Sequence, residues 1–276
     1  RRGFQLGDEM IPGRQFAARQ IKGARDYQED DYGYFSALDE KDHRPRDLLM
    51  VLADGMGGHN GGAHASGLAV GKFIETFTSL KGKVSERLAK GLDVSNGSIR
   101  VESREDPDLQ GMGCTLVGVF FDPDGIEWIS VGDSPLWLYR DGKLAQINED
   151  HSMAPIIAEQ VDAGELTPEE AALHPHRNAL RSALVGEDIP LIDASASPLV
   201  LKEGDKIILA SDGLQTLSDD EIAAILSADE DAHGLAEQLI EAVEAKQRRG
   251  QDNTTVMVVT PFTKAERRPS MSWIDK

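Results

Sequence analysis

The sequence predicts an α+β fold, and three observations carry the prediction. Apolar runs that border an aspartate recur: Leu48-Leu49-Met50-Val51-Leu52-Ala53-Asp54-Gly55, Ile126-Glu127-Trp128-Ile129-Ser130-Val131-Gly132-Asp133, Lys206-Ile207-Ile208-Leu209-Ala210-Ser211-Asp212-Gly213, and Asp252 just ahead of 254–259. The first has no polar alternation, as in a strand buried on both faces. Paired β-rich runs flank Asp122-Pro123-Asp124-Gly125 and Arg140-Asp141-Gly142-Lys143, which are hairpin signals. Between the strands, 62–80 places Ala63, Leu68, Val70, Phe73, Ile74 and Phe77 at mostly helical spacing.

In order along the chain, 1–13 reads as a loosely held arm, mixing charge, Gly and Pro without period. A first strand is expected near 15–22 and a second at 32–37, followed by a polar loop at 38–47 whose acids at 39–42 read as solvated. The run 48–54 is expected to end at Asp54-Gly55 in a tight turn. Helices follow at 62–80 and 83–101. Runs 114–121, 126–131 and 136–147 predict one antiparallel meander. The stretch 153–177 is helical and reads as an insertion over one edge, with Leu166-Thr167-Pro168-Glu169-Glu170 as a cap with proline at the first helical position. Strands resume at 199–201, 206–209 and 254–260, and helices at 219–226 and 232–246. The tail 264–276 is irregular. One domain, 14–263, is expected between arm and tail, since no linker divides it.

Bulk properties exclude whole classes of function. With 276 residues and 40% hydrophobic content the chain can bury a substantial core. A net charge of −19 and a pI near 4.7 repel polyphosphate backbones and anionic membranes, so neither nucleic acid nor membrane is an expected partner. The single cysteine, Cys114, rules out an internal disulfide and a Cys-rich zinc site. Without a transmembrane run or signal peptide, a cytoplasmic monomer is the expectation.

One aspartate at a strand end is ordinarily a cap or turn residue, but the coincidence of several implies chemistry. If Asp30, Asp54, Asp212 and Asp252 converge, each bare pair about 4 Å apart repels by roughly 4 kcal/mol at an effective dielectric near 20. Such a cluster needs cations. Carboxylates without accompanying Cys or paired His select Mg²⁺ or Mn²⁺, and four of them balance two divalent ions. Two such metals suit hydrolysis of a phosphate ester, with Arg25 gripping the phosphate.

These residues resemble the metal-dependent protein serine/threonine phosphatases of type 2C, in particular their bacterial branch. Arg25-Asp26-Tyr27-Gln28-Glu29-Asp30, Asp54-Gly55-Met56-Gly57-Gly58, Gly113-Cys114-Thr115, Gly132-Asp133-Ser134, Asp150-His151-Ser152, Ser211-Asp212-Gly213 and Asp252-Asn253 follow in the family's order over nearly the whole chain. Any one is weak, and the ordered set is specific. The resemblance implies a four-layer α-β-β-α sandwich with a small helical flap at 153–178. It implies that Asp54 bridges two Mn²⁺ or Mg²⁺ ions, that Gly55 offers its carbonyl to one, and that Asp212 and Asp252 hold the other. Asp30 and Glu29 bind through water. The implied substrates are phosphorylated proteins, products of a serine/threonine kinase, with His174, His176, Arg177 and Asn178 of the flap as substrate-binding candidates.

Departures from the family pattern carry their own expectations. Met56 stands where eukaryotic relatives have a His, leaving the general acid unassigned. Pro135 and Ser130 stand where Arg and Asn are common, so the setting of Asp133 is in question. Thr216 stands where an acid often completes a third site with Asp133 and Asp212, so a third ion is expected to be weak or absent. His59 and His151 read as surface or structural histidines, Cys114 as core, and Arg267-Arg268-Pro269-Ser270 as an ordinary tail. The rival reading is a phosphoprotein-binding or regulatory module without activity, with Pro135 and Thr216 as signs of decay.

Overall fold

Residues 10–37, 47–57 and 61–261 are described in a computed structural model. Most of the arm, the acidic loop 39–42, Gly58 and His59, and the tail with Ser270 lie outside the described residues.

Three strands come first: β1 (Phe16–Ile21), β2 (Asp30–Phe35) and β3 (Leu48–Met56). Helices α1 (Gly61–Ser79) and α2 (Val84–Glu105) follow, then β4 (Gly113–Cys114), β5 (Leu116–Asp122), β6 (Gly125–Val131), β7 (Leu136–Arg140) and β8 (Lys143–Gln146). The insertion holds α3 (Ala154–Asp162) and α4 (Pro168–Ala172). The chain closes with β9 (Asp193–Ala194), β10 (Lys206–Ala210), α5 (Asp219–Leu226), α6 (Ala232–Ala245) and β11 (Thr254–Val259). Two antiparallel sheets result, one ordered β1-β11-β10-β7-β8 and the other β2-β3-β5-β6-β9, with β4 on β3.

The period of the strand explains the continuous apolar run of β3. Leu48, Met50 and Leu52 point between the sheets, where they meet Leu209, Met257 and Phe121. Leu49, Val51 and Ala53 point the other way, onto Ala69, Phe73 and Phe77 of α1 and Leu88 and Leu92 of α2. Helix α1 places Ala65, Ala69, Phe73 and Phe77 four apart on its buried stripe. On the far side of the molecule, Leu235, Leu239 and Val243 of α6 and Ile222 of α5 cover Ile208, Val256 and Val258. The layers are therefore helix, sheet, sheet, helix, the sandwich implied by the resemblance.

Local signals set several boundaries. Asp141 (φ 52°) and Gly142 (φ 78°) both take the left-handed conformation that a tight two-residue hairpin requires. Thr167 and Glu170 form a capping box ahead of α4 with Pro168 in its first turn, and Ser218 and Glu221 do the same for α5.

The structure also corrects the sequence reading. β3 does not break at Asp54-Gly55 but runs on to Met56, because Gly55 and Met56 pair with Cys114 and Gly113. The expected meander is two hairpins in two sheets: the chain crosses between them after Val131, with Ala210 N donating to Pro135 O at 3.1 Å. Residues 199–201 form no strand; Leu199 makes an isolated bridge to Ile126, and the short partner of β6 is β9. Met10, in the expected loose arm, is buried between the sheets.

Candidate metal centre

Antiparallel pairing brings the aspartates to one pole. Asp54 lies two residues before the end of β3, Asp133 and Asp212 two residues beyond β6 and β10, and Asp252 two residues ahead of β11. Asp30, at the start of β2, stands directly across from Asp54 in the register. Gly55 is required next to it, because a Cβ there would overlap the carbonyl oxygens of Gly62 and Glu29.

Hydroxyls and amides hold these acids: Thr115, Ser134, Ser211 and Asn253 of the quoted motifs, together with Thr255 and Gln251, which the sequence reading did not single out. Ser211 Oγ and Thr255 Oγ1 each donate to Asp30 Oδ2 at 2.7 Å. Asp54 N donates to Thr115 Oγ1 at 3.0 Å, and Thr115 Oγ1 meets Ser134 Oγ at 2.7 Å, coupling β3 to the Asp133 turn. Asn253 accepts from Glu29 N at 2.8 Å and donates to the carbonyls of Lys22 and Tyr27 at 2.8 and 3.0 Å, fastening the Arg25 loop to β11. Gln251 Nε2 donates to Gly213 O and Thr254 Oγ1, both at 3.0 Å, while its Oε1 accepts from Thr216 Oγ1 at 2.7 Å. Thr216 is thus committed to the scaffold between Asp212 and Asp252.

The departures around Asp133 are accommodated by other side chains. Asn148 accepts from Leu136 N at 2.7 Å and donates to Ser134 O at 3.0 Å and Ser130 Oγ at 3.3 Å. His151 is buried; its Nδ1 accepts from Gly132 N at 3.2 Å, and burial lowers its pKa. It is a structural brace of the turn. Cys114 is buried in the core, where desolvation pushes its thiol pKa up and away from nucleophilic use.

The electrostatics are those of an unbalanced anionic centre. Burial, then the fields of Asp30, Asp212, Asp133 and Asp252, raise the Asp54 carboxyl well above its ordinary value. Burial raises Asp30 to about 6 despite its two hydroxyl donors, with Asp212 and Asp252 adding to the effect. Asp212 rises to about 6 through burial and Asp252, opposed by Arg25, and Asp133 to about 7 through burial, Asp212 and Asp150. Glu29 is raised by burial against the pull of Arg25. Arg25 itself is exposed, its Nη2 2.5 Å from Asp252 Oδ2. Of the predicted site residues, Asp30, Asp54, Asp133, Asp212 and Asp252 therefore share one field, with Glu29, Gly55 and Arg25 beside them.

The donor chemistry fits hard divalent cations. Among the described residues, two buried carboxylate oxygens, Glu29 Oε1 and Asp30 Oδ1, have no hydrogen-bond partner, and every side-chain donor of the cluster is oxygen. No three His, Cys, Asp or Glu side chains among the described residues stand close enough to enclose an ion as they are. Bare carboxylates repel one another, and a cation between them would let them draw together.

A cavity of about 300 Å³ opens beside this cluster, lined by Asp133, Asp150, Asp212 and Asp219 and, from the insertion, by Arg177 and Asn178. Asp219, after the loop that follows Leu217, lines the same cavity as Asp133 and Asp212. His174 and His176 stack edge-on 6.0 Å apart and do not line the cavity.

Residues 28–251 match the family described as protein phosphatase 2C. The chain belongs to the protein phosphatase 2C family. It is 35% identical over 212 residues to the serine/threonine protein phosphatase PstP of Mycobacterium tuberculosis, a match covering 76% of this chain and 40% of that protein. The chain thus spans well under half of the length of that relative. The serine/threonine phosphatase stp of Listeria monocytogenes is 33% identical over 241 residues, 85% of this chain and 90% of that protein. Among solved structures, that of M. tuberculosis PstP/Ppp superposes with a TM-score of 0.71 at 33% identity, covering 88% of this chain and 96% of that one. The PstP catalytic domain in complex with two manganese ions gives 0.70 at 32% identity over 88% and 96%. The sandwich described above is the protein phosphatase 2C architecture.

Proposed function

We propose that this chain hydrolyses phosphoserine and phosphothreonine in proteins with the help of two Mn²⁺ or Mg²⁺ ions. The observation that carries the reading is the single field shared by five aspartates at one pole, each of Asp30, Asp54, Asp133 and Asp212 held away from its charged form by burial and by its neighbours. Such a centre is balanced by cations. The two manganese ions of the PstP catalytic domain support the number.

In this reading Asp54, Gly55 through its carbonyl, Asp212 and Asp252 would hold the two ions, with Asp30 and Glu29 acting through water. Asp133 with Asp212 would give at most a weak third site. Bound ions would supply an acidified water nucleophile and neutralise charge on the phosphoryl oxygens. The chain's own work is orientation. Ser211 and Thr255 fix one oxygen of Asp30 and leave the other free, Thr115 fixes the backbone of Asp54, and Arg25, exposed and paired with Asp252, would turn its guanidinium to a phosphate. Arg177 and Asn178 of the flap would meet parts of a protein substrate beyond the phosphate, whereas His174 and His176 are weaker candidates. The catalytic unit would be 14–263 with its flap at 153–178, working on products of a serine/threonine kinase as a cytoplasmic monomer. No helix among the described residues is long and apolar enough to cross a membrane.

Turnover of p-nitrophenyl phosphate with and without Mn²⁺, with Asp54→Asn as control, tests the reading. We expect metal-dependent turnover that the variant loses. Absence of any turnover in the metal-loaded wild type would move the protein to the binding-module reading.

A further inference from the structure

The loop that carries Arg25 also forms one wall of a second cavity, of about 530 Å³, at the edge of the five-stranded sheet. Its floor is apolar: Ile21 at the end of β1, and Val243 of α6, which is buried. Its rim is cationic, with Lys22 on one side and Arg248 on the other, against one acid, Glu244. The cavity wall and Arg25 are one loop system, since Ala24 N donates to Gln251 O at 2.8 Å and the Arg25 guanidinium reaches Asp252.

Gln247, in its lining, has φ 49° because it follows the C-cap Lys246 of α6 and is the ordinary left-handed stop of that helix. Charge is what sets this cavity apart from an ordinary surface dimple. Lys22 and Arg248 make no ion pair with a carboxylate among the described residues, whereas the neighbouring Lys246 pairs with Glu221 at 2.6 Å. On a chain of net charge −19, two unpaired cations flanking an apolar floor beside Arg25 form a local inversion of charge, one that attracts an anion with an aliphatic stem.

We infer that this cavity is a substrate subsite for an acidic side chain, glutamate in particular, flanking the phosphorylated residue. The side chain's methylenes rest on Ile21 and Val243, and its carboxylate meets Lys22 and Arg248. The inference rests on the phosphatase reading and deepens it. It makes a protein of strongly acidic surface selective for acidic phosphosites at one position near the scissile group.

The test uses phosphothreonine peptides in which glutamate, alanine, leucine or lysine is moved along the flanking positions. At one position the wild type should favour glutamate over alanine by about five- to tenfold in kcat/KM, the effect of two partly exposed ion pairs. In the double variant Lys22→Ala/Arg248→Ala that ratio should fall to near one, and in Lys22→Glu/Arg248→Glu the preference should pass to lysine. Fluorescence anisotropy of the same peptides on Asp54→Asn reads the subsite without turnover, and p-nitrophenyl phosphate, which has no flanking residue, reads the phosphate site alone. Equal treatment of glutamate and alanine at every position, a preference for leucine, or a glutamate preference that survives the double variant overturns the subsite. Loss of turnover with the anisotropy ratio intact overturns the phosphatase reading instead.

Discussion

Strand β10 has an aspartate beyond each end, Asp205 buried and Asp212 half-buried, and the two sit in opposite electrical surroundings. Asp205, just before the strand, is 2% exposed and fully engaged: Arg140 donates to it through Nε at 2.9 Å and Nη2 at 2.6 Å, and Lys202 N at 2.6 Å. Asp212, two residues past the other end, meets further acids, and burial with Asp252 lifts its carboxyl to about 6. One end of the strand completes a buried carboxylate with the chain's own cation; the other leaves its carboxylate to be completed from outside. Under the proposed function the first arrangement serves stability and the second serves the metal centre.

The sharpest way to break this comparison is to remove the acids one at a time. Asp54→Ala and Asp212→Ala should each cost at least about 100-fold in metal-dependent turnover, since even groups that only support a metal's ligands commonly cost 10- to 100-fold. Thermal unfolding of the metal-free variants should be unchanged or shifted upward, because each substitution removes repulsion. Near-normal rates would place the metal elsewhere. Asp205→Ala should do the reverse. It leaves Arg140 without its partner and should lower stability by about 2–3 kcal/mol, at the low end for a buried pair because Arg140 is partly exposed. Its turnover should stay near wild type. A silent melting curve for Asp205→Ala beside a large loss for Asp212→Ala would invert the comparison.

The same contrast marks what was legible in the sequence. The Asp-Gly strand ends at 54 and 212 could be read directly, because an apolar run closed by an acid and a glycine marks a buried strand near its end. The hairpin at Asp141-Gly142 and the capping box at Thr167 were equally plain, since their chemistry is local. What escaped depends on distant partners. Nothing around Gln251 signals that its amide joins Thr216 to Gly213, residues more than 30 positions away. The extension of β3 past Asp54 needs Gly113 and Cys114 for pairing partners, and the division of the hairpins between two sheets is a tertiary choice. Arg140 and Asp205 are 65 positions apart, so their pairing was invisible too.

A gentler test titrates the acid cluster as a whole. An acid whose folded pKa lies above its unfolded value keeps a proton in the native state that the unfolded chain has released, so stability falls as pH rises between the two values. Asp30 and Asp212 are raised from 3.8 to about 6 and Asp133 to about 7. In the presence of chelator, the melting temperature should therefore fall between about pH 4 and pH 7 and then level, by at least about 3 °C overall. Mn²⁺ should flatten the upper part of the curve, and Asp54→Asn should reduce the slope without metal. If the slope is the same in Asp54→Asn, general repulsion of a chain with charge −19 accounts for it, and the cluster is not the cause.

The smallest effect is expected at position 216, where the resemblance expects an acid to strengthen a third ion. Thr216 Oγ1 is a donor to Gln251 Oε1 at 2.7 Å, and a carboxylate has no proton to give. In Thr216→Asp either the Gln251 amide turns over and forfeits its bond to Gly213 O, or the new carboxylate swings away toward the cavity that holds Asp133, Asp212 and Asp219. Each route sacrifices one hydrogen bond, a cost of about 1 kcal/mol. Only the second route adds a charged oxygen where a cation can use it, and affinity for Mg²⁺ follows the count of charged oxygens. We therefore expect calorimetry of the wild type to resolve two tight ions and a weak third, and Thr216→Asp to tighten the third while leaving the first two as they were. Thr216→Val separates the two contributions, because it should show the loss of stability with no gain in affinity. Three comparably tight ions in the wild type would mean that Asp219 already supplies the charge that Thr216 lacks.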